Sequence, residues 1–154
     1  MNERGVMFSR ILVAIDGSQI SMNAANYALS IAVKHHDSEL TLLHVIPPEV
    51  KLGHASGMLG VVTPKFKEKV EQEAEKWFDK IKAKLNNSET INLYSKVIST
   101  GASVEAAIVE YAENKHIDLI IVGTRGMSGF KKLLLGSVAS GVVTYAHCPV
   151  LVVK

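Results

Sequence analysis

The stretch DLIIVGTRGMSGFKKLLLGS, residues 118–137, decides the fold. Leu119–Val122 is an unbroken apolar run, the mark of a strand covered on both faces of a parallel sheet. Gly123, Gly126, Gly129 and Gly136 then punctuate a loop that closes on Gly136-Ser137. Glycines between a buried strand and a helix start permit positive φ and close approach to a ligand. The helix start adds unpaired N–H groups and the positive end of a dipole. Together these read as a phosphate site. The same spacing also admits a long surface loop with ordinary turn glycines, because one glycine-rich loop is by itself a weak signal.

Working outward, a helix is expected from Ser137 to about Tyr145 and a last strand from Pro149 to Val153. Upstream, Ile11–Ile15 is another apolar run, ended by the turn composition Asp16-Gly17-Ser18. Ser18 is placed as an N-cap, and Ile20, Ala24, Ala28, Ile31 and Ala32 recur at helical spacing. Leu40–Ile46 reads as a second strand that Pro47-Pro48 stops, and residues 47–63 read as a long loop. Phe66, Val70, Ala74, Trp77, Phe78, Ile81 and Leu85 form one stripe of an amphipathic helix. Ile91–Ile98 is a third strand whose polar interruptions suit a sheet edge. A helix over about 103–114 carries Val104, Ala107, Ile108 and Tyr111 inward.

Strands and helices therefore alternate through the whole chain. Buried strands joined by helical crossovers predict an α/β fold with a doubly wound five-stranded parallel sheet, in one domain over residues 1–154. The ligand crevice of such a fold lies beyond the carboxyl ends of its strands, where the strand order reverses. Asp16 ends the first strand and Gly123 the fourth, so the two signals meet if those strands are neighbours.

Composition narrows the function classes. The net charge is +2 with acids and bases interspersed, which gives no basic stripe for nucleic acid. The single cysteine, Cys148, rules out an internal disulfide framework and suits a reducing compartment. No long apolar run marks a signal peptide or a membrane span, so the expected location is the cytoplasm. The six histidines are scattered, with neither HExxH nor CxxC, so no metal site is expected.

Asp16 admits two roles: accepting hydrogen bonds from a ribose or base edge, or closing an Asx turn over residues 17 and 18. Gly126 and Gly136 can let N–H groups converge on phosphate oxygens, with the Ser137 hydroxyl and the Val138 N–H beside them. Arg125, Lys131 and Lys132 lie in the same loop and either attract an anion or simply keep the loop soluble. Gly-x4-Gly-Lys-Ser/Thr is absent, and the first turn lacks the dinucleotide fingerprint, which disfavours a dehydrogenase. No residue is identified as a general base for efficient hydrolysis, and no catalytic residue is assigned.

The loop matches Gly-x2-Gly-x9-Gly-Ser/Thr at Gly123, Gly126, Gly136 and Ser137. Together with Ile11–Ser18, His44-Val45, the Gly101 turn and His147–Val150, it makes nearly the whole chain resemble the universal stress proteins of the single-domain, ATP-binding kind. The resemblance implies sheet order 3-2-1-4-5, a Rossmann-like fold of the adenine nucleotide alpha hydrolase type. It implies ATP in the cleft between strands one and four. Ala14 and Val45 would lie near the base, Asp16 at the ribose or adenine, and Val122 and Gly123 along the adenosine. Gly126, Gly136, Ser137 and Val138 would hold phosphates, with Mg2+ or Mn2+ available to bridge them. It further implies a homodimer paired through Pro149–Val153 and a stress-response role read by a protein partner. The alternatives are a slow metal-dependent ATPase or phosphotransferase, and a dimeric scaffold that binds AMP or no nucleotide.

Overall fold

A computed structural model describes residues 8–35, 37–51, 59–85, 91–125 and 135–154, without the side chains of 49–51 and 59–61. The elements in chain order are β1 (Arg10–Ala14), α1 (Gln19–Lys34), β2 (Glu39–Ile46), β3 (Glu49–Lys51), β4 (Leu59–Val61), α2 (Pro64–Lys82), β5 (Asn92–Ser99), α3 (Val104–Asn114), β6 (Leu119–Gly123), α4 (Ser137–Tyr145) and β7 (Val150–Val153). Five strands form one parallel sheet in the order β5-β2-β1-β6-β7. Counting only these strands along the chain, the order is 3-2-1-4-5, the Rossmann-like arrangement expected. From β1 the chain winds outward through β2 to β5, then returns to the other side of β1 for β6 and β7. The order thus reverses between β1 and β6.

The apolar runs are continuous because successive residues serve two different cores. Ile11, Val13 and Ile15 of the first strand and its end, with Leu40, Leu42, Leu119 and Ile121, pack under α1 and α2 against Ala24, Ala28, Ala32, Phe78 and Ile81. Leu12, Leu43, Val45, Ile120 and Val122 face the opposite way, onto Ala107, Ile108, Ala112, Ala139 and Val142 of α3 and α4. Burying one such Ile or Leu stabilises the fold by roughly 1.5–3 kcal/mol. The alanines of α1 let its axis approach β1 and β6 closely. β5 and β7 each pair on one side only within this sheet, and β5 keeps the alternating exposure that its polar residues announce.

Three helices start on side-chain caps. Ser18 accepts from the Ser21 N–H, Thr63 from the Phe66 N–H and Ser103 from the Ala106 N–H. Pro64 takes the first position of α2, where its missing N–H costs nothing. The long loop expected over 47–63 differs from the structure in one respect. It contains the antiparallel pair β3–β4, with Val50 opposite Gly60. Each strand is three residues long, too short to display a period of two. No helix among the described residues is long and apolar enough to cross a membrane.

Candidate functional site

The reversal of strand order leaves a crevice at the carboxyl ends of β1 and β6, with a cavity of about 560 Å3. That volume lies in the range of about 300–1,000 Å3 common to small-molecule sites. Ala14, Ile15 and Asp16 line one side, Leu43 to Val45 and Pro47 the next, and Val122 to Arg125 the floor. Gly136 to Ala139 open the far end, while Val104 and Ile108 of α3 close the apolar wall. Another hollow, along the first turns of α2, is lined by Thr63, Lys65, Phe66, Glu68, Lys69 and Gln72. Its lining comes from the Thr63 cap and the first turns of α2 alone, and it brings no such set of groups together.

The Asp16 turn is held from several directions. Asp16 Oδ1 accepts from the Ser18 N–H at 3.0 Å and from the Ser18 hydroxyl at 2.6 Å. The Asp16 N–H donates to Ser21 Oγ at 3.3 Å, and the Ser21 hydroxyl donates to Ser18 O at 2.9 Å. The carboxylate therefore does close an Asx turn, the second of its two expected roles, while it lines the cavity. Between these residues Gly17 has φ +81°, and a Cβ there would lie 2.4 Å from Trp77 Cζ2. Glycine is required at this point both by conformation and by the indole above it.

His44 ties this turn to β2. Its Nδ1 lies 2.7 Å from Ile15 O. A carbonyl only accepts, so Nδ1 carries the proton and donates. The ring meets Trp77 edge-on, with centroids 5.3 Å apart. Burial pushes the imidazole below its ordinary pKa. The Ile15 hydrogen bond and the Asp16 charge pull the other way and are outweighed. His44 is thus held neutral at neutral pH.

Beyond β1, β2 offers a free backbone edge. The Ile15 N–H donates to Leu43 O and the Thr100 N–H to Ile46 O. Leu43 therefore turns its polar groups toward β1, and Ile46 toward β5. Val45, two residues after Leu43, turns its own N–H and C=O to the β1 side. There the β1–β2 register has already ended at Ala14–Leu43. One donor and one acceptor thus look into the crevice above Ala14.

At the far end the chain is clamped. The Thr124 N–H donates to Val153 O at 2.7 Å, and the Gly136 N–H donates to Thr124 O at 2.6 Å. The two ends of the glycine loop are thereby joined to each other and to β7. A Cβ on Gly136 would come 3.1 Å from Thr124 O, and one on Gly123 would come 2.6 Å from Ile20 Cγ2. α4 differs from the other three helices in that Gly136 gives it no side-chain cap. Its first N–H groups open on the cavity that Ser137 and Val138 line.

This fold and loop pattern have a known counterpart. The model of the universal stress protein family matches residues 7–154. The chain belongs to that family. Universal stress protein MJ0531 of Methanocaldococcus jannaschii is 36% identical over 156 residues, which cover 96% of this chain and 83% of that protein. Universal stress protein YxiE of Bacillus subtilis is 35% identical, covering 96% of this chain and all of its own length (100%). Among solved structures, universal stress protein UspA from Lactobacillus plantarum superposes with a TM-score of 0.75 at 26% identity, covering 97% of this chain and 100% of that one. Three more distant structures carry the likeness of fold alone. They are a universal stress protein in complex with cAMP, 22% identical, one from Archaeoglobus fulgidus with dAMP, 18% identical, and one from Arabidopsis thaliana with AMP bound, 17% identical.

In this universal stress protein the structure brings Ala14, Asp16, Val45, Val122, Gly123, Gly136, Ser137 and Val138 to one cavity. Gly126, with Lys131 and Lys132, lies outside the described residues. In the sequence His44 is one of six scattered histidines, with no role assigned to it. The structure gives it a hydrogen bond that holds Ile15 and a place in the wall. Ser21, Thr124, Val104 and Ile108 were not singled out as site residues. Val104 and Ile108 were legible as an inward stripe of α3, but not as a wall of the crevice. Cys148 is half-buried, and burial, with the Asp118 charge second, raises its thiol pKa. That environment suits a small apolar filler packed against the core under α3 and α4.

Proposed function

We propose that this universal stress protein is an adenine-nucleotide-binding module whose occupancy is read by a protein partner in a stress or signalling response. The observation that carries the reading is the pairing of two unlike ends in one cavity. At one end, the Val45 N–H and C=O stand above Ala14 and between apolar walls. They complement a flat heterocycle that offers an acceptor beside a donor, as the N1 and N6-amino edge of adenine does. At the other end, the uncapped start of α4 suits an anion. Asp16 lies between them, where a ribose hydroxyl can donate to its carboxylate. Guanine reverses the order of donor and acceptor along its pairing edge and mismatches Val45.

Nucleoside monophosphates head the ligands to test, because the cAMP, dAMP and AMP complexes belong to proteins of the same fold. ATP follows, through the glycine loop. Among the described residues no group of three His, Cys, Asp or Glu side chains is placed to hold a metal. Where a polyphosphate binds, Mg2+ or Mn2+ would arrive as its counter-ion. The β7 edge supports a homodimer. Pro149 O accepts from Ile120 and Val153 O from Thr124, so residues 149, 151 and 153 turn their polar groups toward β6. Val150 and Val152 turn theirs outward, to an edge that a second copy can pair antiparallel.

The test is calorimetric titration of nucleotide-free protein with adenosine, AMP, cAMP, ATP and GMP, with and without Mg2+. Saturable binding of the adenine ligands and weaker binding of GMP are expected. Equal affinity for GMP and AMP, or no binding of any of them at millimolar concentration, defeats the reading.

A further inference from the structure

Arg125 stands one residue past the clamped Thr124, half-buried in the cavity lining. Its backbone position is fixed against α4, because a Cβ on Gly136 would lie 3.5 Å from Arg125 Cα. Among the described lining residues it is the only Lys or Arg, as Asp16 is the only carboxylate. The ion pairs among the described residues are Arg10–Glu39 and Lys67–Glu71, and Arg125 joins neither. A partly buried arginine in the cavity lining, without a protein counter-ion among the described residues and beside an uncapped helix start, has the chemistry of an anion receptor. Its planar fork matches two oxygens of one phosphate.

Resting on the proposed nucleotide site, we infer that Arg125 is the specificity residue that reads the charge of the ligand's first phosphate. It sets the preference for a nucleoside monophosphate over the free nucleoside, while the base and ribose are held elsewhere. A cyclic phosphodiester carries one negative charge. A phosphomonoester carries nearly two at neutral pH, since its second pKa is about 6. Arg125 therefore favours AMP over cAMP as well as over adenosine.

The experiment is calorimetric titration of wild type, Arg125→Gln and Arg125→Lys with adenosine, cAMP and AMP, at low and at raised salt. For Arg125→Gln, AMP affinity is expected to fall roughly 10- to 100-fold, the range of a lost charge-assisted hydrogen bond. Adenosine affinity should stay unchanged. The salt dependence of AMP binding should flatten, and Arg125→Lys should restore part of the loss. Because Arg125 makes no ion pair among the described residues, the thermal midpoint of each variant should match wild type, which separates lost recognition from lost folding. An AMP-to-adenosine ratio unchanged by Arg125→Gln overturns the inference and leaves the nucleotide site standing. Failure of wild type to bind any of the three ligands overturns the site and the inference together.

Discussion

Replacing Gly17 by alanine is the sharpest test of how the Asp16 turn is built. Two costs add. The residue has φ +81°, where an L side chain is disfavoured by about 1–2 kcal/mol. The new methyl would also sit 2.4, 2.5 and 2.9 Å from three atoms of the Trp77 ring. The indole is wedged edge-on against His44 and packed against the core under α1 and α2, so it cannot swing away freely. Overpacking of this kind costs about 1–3 kcal/mol. The sum is about 2–5 kcal/mol, or roughly 4–20 °C in Tm for a chain of this length. Urea unfolding followed by circular dichroism measures it. The two costs separate in a double-mutant cycle with Trp77→Leu. The steric part should vanish in the double variant and leave the backbone part, a coupling on the order of 1–3 kcal/mol. A cost below about 0.5 kcal/mol for Gly17→Ala, in the range of ordinary surface substitutions, would refute the conformational argument. Additive single effects would refute the contact with Trp77.

Three other expectations follow from the same geometry. His44 titrates below its usual value of about 6.5 in the fold, so the unfolded chain takes up the proton first. Its contribution is complete above that pH and is lost as pH falls through and below it, no faster than about 1.4 kcal/mol per pH unit for one proton. Urea unfolding at pH 7.5 and 5.5 should show a steeper loss for wild type than for His44→Gln, and equal losses would contradict this. Phe78→Ala removes a ring with no exposed surface and should cost roughly 3–5 kcal/mol in urea unfolding, with little change in the denaturant slope. A loss under about 1 kcal/mol would show that the site is less closely packed than the structure has it. Val152→Pro removes an outward N–H from β7 while leaving the bonds to β6 in place, so sedimentation velocity should find wild type dimeric and the variant monomeric. A monomeric wild type at tens of micromolar would remove the proposed edge pairing.

The fold was legible because two physical signals agreed along the chain. Ile11–Val13 and Leu119–Val122 are apolar without alternation, since odd and even residues enter different cores and neither face meets water. Ser18 and Ser103 cap the helices they were placed to cap or begin. The β3–β4 pair escaped because Pro47-Pro48 and the glycines at 53, 57 and 60 carry every mark of a loop, and three-residue strands add no period to oppose it. The glycine-loop end of the cavity was legible for a related reason. Glycines are visible in a sequence, and at Gly123 and Gly136 an added Cβ would crowd Ile20 Cγ2 at 2.6 Å and the Thr124 carbonyl oxygen at 3.1 Å.

The end of the cavity between β1 and β2 was harder, because its parts act through partners distant in the chain. His44 works on the carbonyl of Ile15, 29 residues away, and Trp77 roofs Gly17 from another helix. Val45 is proposed to act through its backbone, so its side chain alone does not reveal the role, and it was named only through the resemblance carried by His44-Val45. What exposes that edge is the length of its neighbour: β1 turns away at Asp16 while β2 runs on to Ile46. The Asp16-Gly17-Ser18 turn therefore does two things at once. It places the carboxylate in the crevice, and by ending β1 two residues below Val45 it bares the donor and acceptor that the proposed base would meet. Any change that let β1 continue past Asp16 would pair Val45 and close the crevice with no site residue altered.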